Sequence, residues 1–240
     1  MATLAASRDP VSAERRFFFR MAIAFAVTVV AGFSLSYMRM TQPPTTLPIQ
    51  IHLHAMVFVC WVGFYLVQNG LVANGSVAIH RRLGAVGGVL AALMVVLGLV
   101  VTVMCIRRGA VPFFFAPGVF LLIDGLGVIV FGALVAVAIR LRNRPDWHKR
   151  LMLCAMAAVI SPALGRILPM PLLGVWAPVG VYVALMLYVV AGMVYDVRAR
   201  GSIHPAYWWG TGVQTVFILI VMIGGHSAPV IALADWIARA

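Results

Sequence analysis

The chain has 240 residues, 63% of them hydrophobic and 10% charged, with a mean hydropathy of +1.04. A soluble domain of this length needs far more charge to cover its surface, so a water-soluble fold is excluded. The net charge of +12 does not point to nucleic acid. Its arginines sit in short segments between long apolar runs, where anionic lipid head groups are the expected neighbours.

Several apolar runs reach about 20 residues, the length that crosses a hydrocarbon core of roughly 30 Å. None has the short alternation of a membrane β-strand. The expected fold class is all-α, a polytopic membrane bundle of about seven helices forming one integral membrane domain over residues 1–240. The spans are predicted near 18–38, 50–73, 84–106, 118–140, 150–168, 174–196 and 207–230.

The first span follows the basic segment Glu14-Arg15-Arg16-Phe17-Phe18-Phe19-Arg20 and is read as an uncleaved anchor, since no small-x-small site ends it. Pro43, Pro44 and Pro48 break the connection to span two. On span two, His54, Trp61, Tyr65 and Gln68 fall within about 60° of one another at 100° per residue, whereas His52 projects to the opposite side. Span three carries small residues at Gly84, Gly87, Ala91, Gly98 and Thr102, a stripe that lets helices approach closely in lipid. Span four holds Asp124, an acid well inside an apolar run. Span five has a kink at Pro162 and Arg166 near its far end. An ion pair between Asp124 and Arg166 is the cheapest way to keep both charges in a bilayer, with a proton relay or a bound carboxylate as functional alternatives.

Span seven offers a second polar stripe, Trp208, Thr211, Thr215, Met222 and His226, running in the reverse direction to span two. His226 and His54 are thereby expected at one depth near the outer surface. Two inward imidazoles at one depth could hold a haem b iron between them, or a copper ion with a third ligand, with Arg166 neutralising a propionate. Interhelical hydrogen bonding is the alternative role for each histidine. The three cysteines, Cys60, Cys105 and Cys154, lack metal or disulfide spacing and are read as buried thiols.

The inner side repeats a phrase. His80-Arg81-Arg82-Leu83 opens span three and His148-Lys149-Arg150-Leu151 opens span five, which suggests an old internal duplication of a helix pair. Lipid phosphate is the expected anion for both clusters, and Asp146 after Pro145 is expected to cap span five.

His54-Ala55 with Trp61, Gln68 and Leu71, then His80-Arg81-Arg82-Leu83-Gly84, then His148-Lys149-Arg150-Leu151-Met152 resembles a group of bacterial multi-pass membrane proteins to which no activity is assigned. The likeness covers roughly residues 50–170 and implies a place in the bacterial inner membrane. A fainter likeness links the histidine-bearing helix pairs to the di-haem transmembrane cytochromes b, which implies haem and electron transfer. No single span here has paired histidines at both its ends, as that family does.

A retinal protein is excluded, because the one lysine, Lys149, lies in a basic cluster at the membrane edge. HExxH and P-loop signatures are missing, no serine is spaced for activation, and no catalytic residue is identified. Three functional readings follow: a haem- or metal-binding redox component at His54 and His226, a proton-coupled transporter of a small solute using Asp124 and Arg166, or a non-catalytic membrane subunit or scaffold. Lipids are the expected partners, and a protein partner or a second copy is compatible with all three.

Thirteen basic residues fall on the side of the N terminus and five on the other, which orients the chain N-in and C-out. A reporter fused after Ala240 should therefore report an external location. A cytoplasmic reading would mean that one span is miscounted or removed.

Overall fold

The computed structural model describes residues 10–239. Among these residues all regular structure is helical: α1 (Pro10–Met38), α2 (Ile49–Ala73), α3 (Val77–Arg107), α4 (Pro117–Arg140), α5 (Pro145–Val159), α6 (Ser161–Ile167), α7 (Ala177–Arg200), α8 (Pro205–Gly224) and α9 (Ala228–Arg239). Five of these, together with a sixth helical stretch running from Met170 through α7, are long and apolar enough to cross a membrane. The broken pair α5–α6, bent by 47°, supplies a seventh crossing if taken as one span. The chain is a helical membrane bundle.

Composition decides which helix is central. The second half of α5 is built from small and apolar residues, and Leu153 to Ala157 are all fully enclosed. A helix that is apolar all round belongs in a core, and small side chains let several neighbours come near. Around α5 the other elements close a ring in the order α1, α2, α3, α4, α8, α7 and α6, each packed on the next and α6 returning to α1. The outward faces of the ring carry Val27, Val59, Val89, Val183 and Leu187, half-exposed or more, which is how lipid-facing helices look.

Close approaches need glycine. A Cβ on Gly118, at the start of α4, would come 2.5 Å from the Gly225 carbonyl oxygen at the end of α8. On α3, Gly87 backs onto Phe64 of α2 and Gly98 onto Val128 of α4, whereas Gly84 faces open space. The small-residue stripe thus works from Gly87 to Thr102.

One end of the bundle holds the α2–α3, α4–α5 and α7–α8 connections and most of the arginines; it is called the basic end below. There Arg150 and Asp196, both at 0% exposure, are the most deeply enclosed charges among the described residues. The Arg150 Nε donates to Asp196 Oδ2 at 2.8 Å and its Nη2 to Asp196 Oδ1, a bidentate pair between α5 and α7. Nη2 also reaches Glu14 Oε1 of α1 at 3.1 Å, and Nη1 donates to the Asp146 carbonyl at 3.0 Å. Lys149 bridges Glu14 at 2.7 Å and Asp146 at 2.9 Å. The expectation that Lys149 and Arg150 meet lipid phosphate is therefore corrected: their anions are carboxylates of the chain itself. Asp146 likewise does not cap α5, since it sits in the first turn behind Pro145 and spends its carboxylate on Lys149, Arg150 and Arg200.

Removing one partner of a fully enclosed pair leaves the other charge without compensation, a loss of about 3–5 kcal/mol. Arg150→Met should therefore lower the unfolding midpoint in detergent strongly. Adding Asp196→Leu to it should recover a large part of that loss. Additive losses in the double variant would show that the two charges are not coupled.

Candidate functional site

The opposite end of the bundle gathers ionisable groups without joining them. Asp124 sits two turns into α4, within the π-helical turn Leu121–Leu126. A π turn widens the helix by one residue and frequently marks a functional position in an α-helix. Among the described residues its carboxylate makes no hydrogen bond and no ion pair. The electrostatic neighbours of Asp124 are Arg166 of α6 and Cys105 of α3.

Arg166 arrives from the short helix beyond the bend. Its Nη1 donates to the Pro162 carbonyl at 2.7 Å, and its guanidinium lies over the Phe33 ring at 4.3 Å. The Arg166 Nε is buried without a partner. Arg39, in the turn that follows α1, donates to the Arg166 carbonyl at 3.2 Å, which fixes the end of α6 beside the end of α1. The predicted direct ion pair between Asp124 and Arg166 is thus not made. The two charges are electrostatic neighbours that are not in contact.

His54 lies one to two turns into α2, half-buried and stacked on Phe58 at 4.1 Å. The Leu97 backbone of α3 and the charge of Arg166 lie beside it, and its Nδ1 is buried without a partner. Further along the same face Trp61, Tyr65 and Gln68 are buried, with Trp61 edge-on to Phe131 of α4 at 5.2 Å. His52 is exposed.

His226 does not join His54. Gly224 and Gly225 end α8 earlier than hydropathy predicts, and His226 falls in the exposed turn before α9. The Ser227 hydroxyl donates to the Gly224 carbonyl at 2.7 Å in that turn. The inward face of α8 is also rotated from the predicted stripe. Tyr207, Gly210, Gln214, Ile218 and Val221 are buried, while Trp208 is 59% exposed at the lipid-facing side, the usual place for an interfacial aromatic. His226 is thus exposed in a turn outside α8, while His54 is half-buried on α2, and no contact between the two rings is found among the described residues. Among the described residues no three of His, Cys, Asp and Glu come together at one point. Of the cysteines, Cys154 is buried and Cys60 exposed, which corrects the reading of all three as enclosed.

At the basic end the two repeated phrases meet. His80 and His148 face each other with ring centres 6.2 Å apart, and His148 Nδ1 lies 2.8 Å from the Ala138 carbonyl oxygen. Arg81 and Arg82 are exposed, as lipid-contacting residues would be, whereas the matching Lys149 and Arg150 are paired within the bundle. His204 belongs to a different cluster, edge-on to Trp147 at 5.2 Å. Asp196, which the sequence reading passed over, is the acid on which this end turns; the His204 amide also donates to it, at 3.1 Å.

An open apolar groove of about 550 Å³ between α4 and α8 is lined by Leu126, Val130, Trp208, Trp209 and Val216 and carries no ionisable group. It has the character of a lipid-covered surface. No family model, no curated protein and no solved structure matches the chain.

His204 gives this end a pH dependence. Its Nδ1 accepts from the Ala206 amide at 3.1 Å and so caps α8, a role open to the neutral ring alone. Burial, followed by the charges of Arg150 and Arg200, holds the imidazole below its ordinary range. The unfolded chain takes up this proton near pH 6.5, the folded chain at a lower pH, so this contribution is present above about pH 6.5 and lost on acidification. The unfolding temperature should fall between pH 7.5 and pH 5. His204→Asn, which caps without titrating, should flatten that dependence; an unchanged slope would remove His204 from the account.

Proposed function

We propose that this protein moves or binds a small organic anion at the end of the bundle opposite the basic end, with Arg166 as the recognition charge and Asp124 as a proton-exchanging carboxyl. The observation that carries this reading is that Asp124, in its π-helical turn, makes no ion pair with its charged neighbour Arg166, whose Nε is buried without a partner. Ionisable groups inside a membrane cost several kcal/mol when uncompensated, and they persist where a substrate or proton path uses them. A structural pair would have closed to contact, as Arg150 and Asp196 do.

Geometry adds two supports. Arg166 is carried on α6, beyond a 47° break, and broken helices frame solute sites in many transporters. His54 presents a buried, unpartnered Nδ1 in the same region and is electrostatically coupled to Arg166. A carboxylate entering here would be met by the guanidinium and by an imidazole, while Asp124 could give up or accept a proton as the incoming charge changes its surroundings.

The test uses liposomes holding the purified protein and a pH-sensitive dye. External addition of small carboxylates and phosphate esters, one at a time, should drive proton movement with at least one of them. Asp124→Asn should abolish proton movement while leaving ligand-induced thermal stabilisation in place, and Arg166→Gln should remove both. If no compound in the panel moves protons or stabilises the wild type, the proposal fails.

A further inference from the structure

We infer that His80 and His148, with the Gln68 amide, form a binding site for one late first-row transition-metal ion, copper or zinc, at the basic end of the bundle. The argument starts from the duplication. The same phrase opens α3 and α5, two helices that begin at the same end and run parallel, so each phrase places its histidine in the first turn at one level. The ring centres stand 6.2 Å apart on different helices. A collinear nitrogen–metal–nitrogen arrangement with bonds of about 2.0–2.1 Å puts the ring centres close to that separation, and a tetrahedral one requires the rings to close by about 1 Å.

Both rings are also prepared for the task. A metal-binding histidine nearly always gives its second ring nitrogen to a carbonyl or carboxylate, which fixes the tautomer and leaves a lone pair for the ion. His148 does this through Nδ1 and the Ala138 carbonyl, which leaves Nε2 as the free ligand atom. His80 has the Gln68 backbone carbonyl beside its ring, and its Nδ1 is buried with no partner. The third observation is independent of the histidines. Gln68 is 7% exposed, and neither its amide oxygen nor its amide nitrogen has a partner. A primary amide enclosed in that way leaves several hydrogen bonds unmade, which is costly unless something fills the space beside it.

The donor set identifies the class. Two neutral imidazoles and an amide oxygen contain no carboxylate, so calcium and magnesium are poorly served. Imidazole nitrogen suits copper, zinc and nickel, which bind through directed bonds and tolerate the nearby charges of Arg81 and Arg82 better than a purely electrostatic site would. Two or three protein ligands leave a coordination position open.

The experiment uses the full chain purified without a polyhistidine tag, stripped with chelator, and titrated calorimetrically with Zn²⁺ and, under reducing conditions, with Cu⁺. One ion per chain is expected from at least one of the two metals, with a rise in unfolding temperature. His80→Ala and His148→Ala should each weaken binding by at least ~10-fold, Gln68→Leu less, and His52→Ala and His204→Ala not at all. His80→Gln and His148→Asn serve as less disruptive companions, and the metal-free unfolding temperature of every variant identifies those that remain folded. Absence of stoichiometric binding, or binding that survives both histidine changes, overturns the inference. A b-type haem spectrum dependent on His80 or His148 would likewise overturn the single-ion assignment.

Discussion

Arg150 cannot leave its place. It is fully enclosed, its three nitrogens are all engaged, and its partners come from three separate elements: Glu14 on α1, Asp146 in its own first turn and Asp196 on α7. A buried guanidinium tolerates no loose geometry, because each unmet hydrogen bond costs as much as the contact gains. The cluster thereby fixes the azimuth of α5, and α5 is the axle on which the ring of other helices is arranged. The aromatic stacks of Phe17 on Tyr195 and Phe25 on Tyr188, with the Thr28–Tyr188 hydroxyl contact, continue the α1–α7 seam that the cluster begins.

The two ends of the bundle treat charge in contrary ways. At the basic end, acids and bases are brought to contact and the helices are locked together. At the other, Asp124, Arg166 and His54 are held near one another with polar atoms left over. Polar atoms without partners also occur at the basic end, in Gln68 and His80, so the two ends differ in whether opposite charges are closed to contact. The break between α5 and α6 lies between the two regimes, and it allows Arg166 to be placed by α1 and α6 independently of the locked portion of α5.

The span pattern could be read from the sequence because lipid leaves it almost no freedom: apolar runs of sufficient length and intervening arginines determine both number and order. The inward face of α2 was legible for the same reason, since Trp61, Tyr65 and Gln68 recur at helical spacing. The last helix was misread because hydropathy averages over Gly224-Gly225, which stops α8 and turns the chain into α9. Trp208 falls on the stripe predicted to face inward, yet an aromatic at a helix end often faces the membrane interface. Asp196 was missed because it is the final residue of its predicted span and so resembles an interfacial acid. Arithmetic could have exposed it: six acids serve eighteen bases in this chain, and an arginine opening a helix as small-residued as α5 needs one of them. The lack of contact between Asp124 and Arg166 had no signature in sequence, since residue types do not reveal whether opposite charges close to contact.

The enclosed cluster also bears on how the chain is made. Asp196 follows Arg150 by 46 residues, whereas Glu14 precedes it by 136. At synthesis rates of about 5–20 residues per second, Arg150 waits roughly 2–9 s for its bidentate partner to emerge. Through that interval Glu14 and Asp146 are the carboxylates at hand, so α5 can be held at the membrane surface by α1 and seated inward once α7 arrives. The order of biosynthesis would then be written into the order in which one arginine acquires its counter-ions.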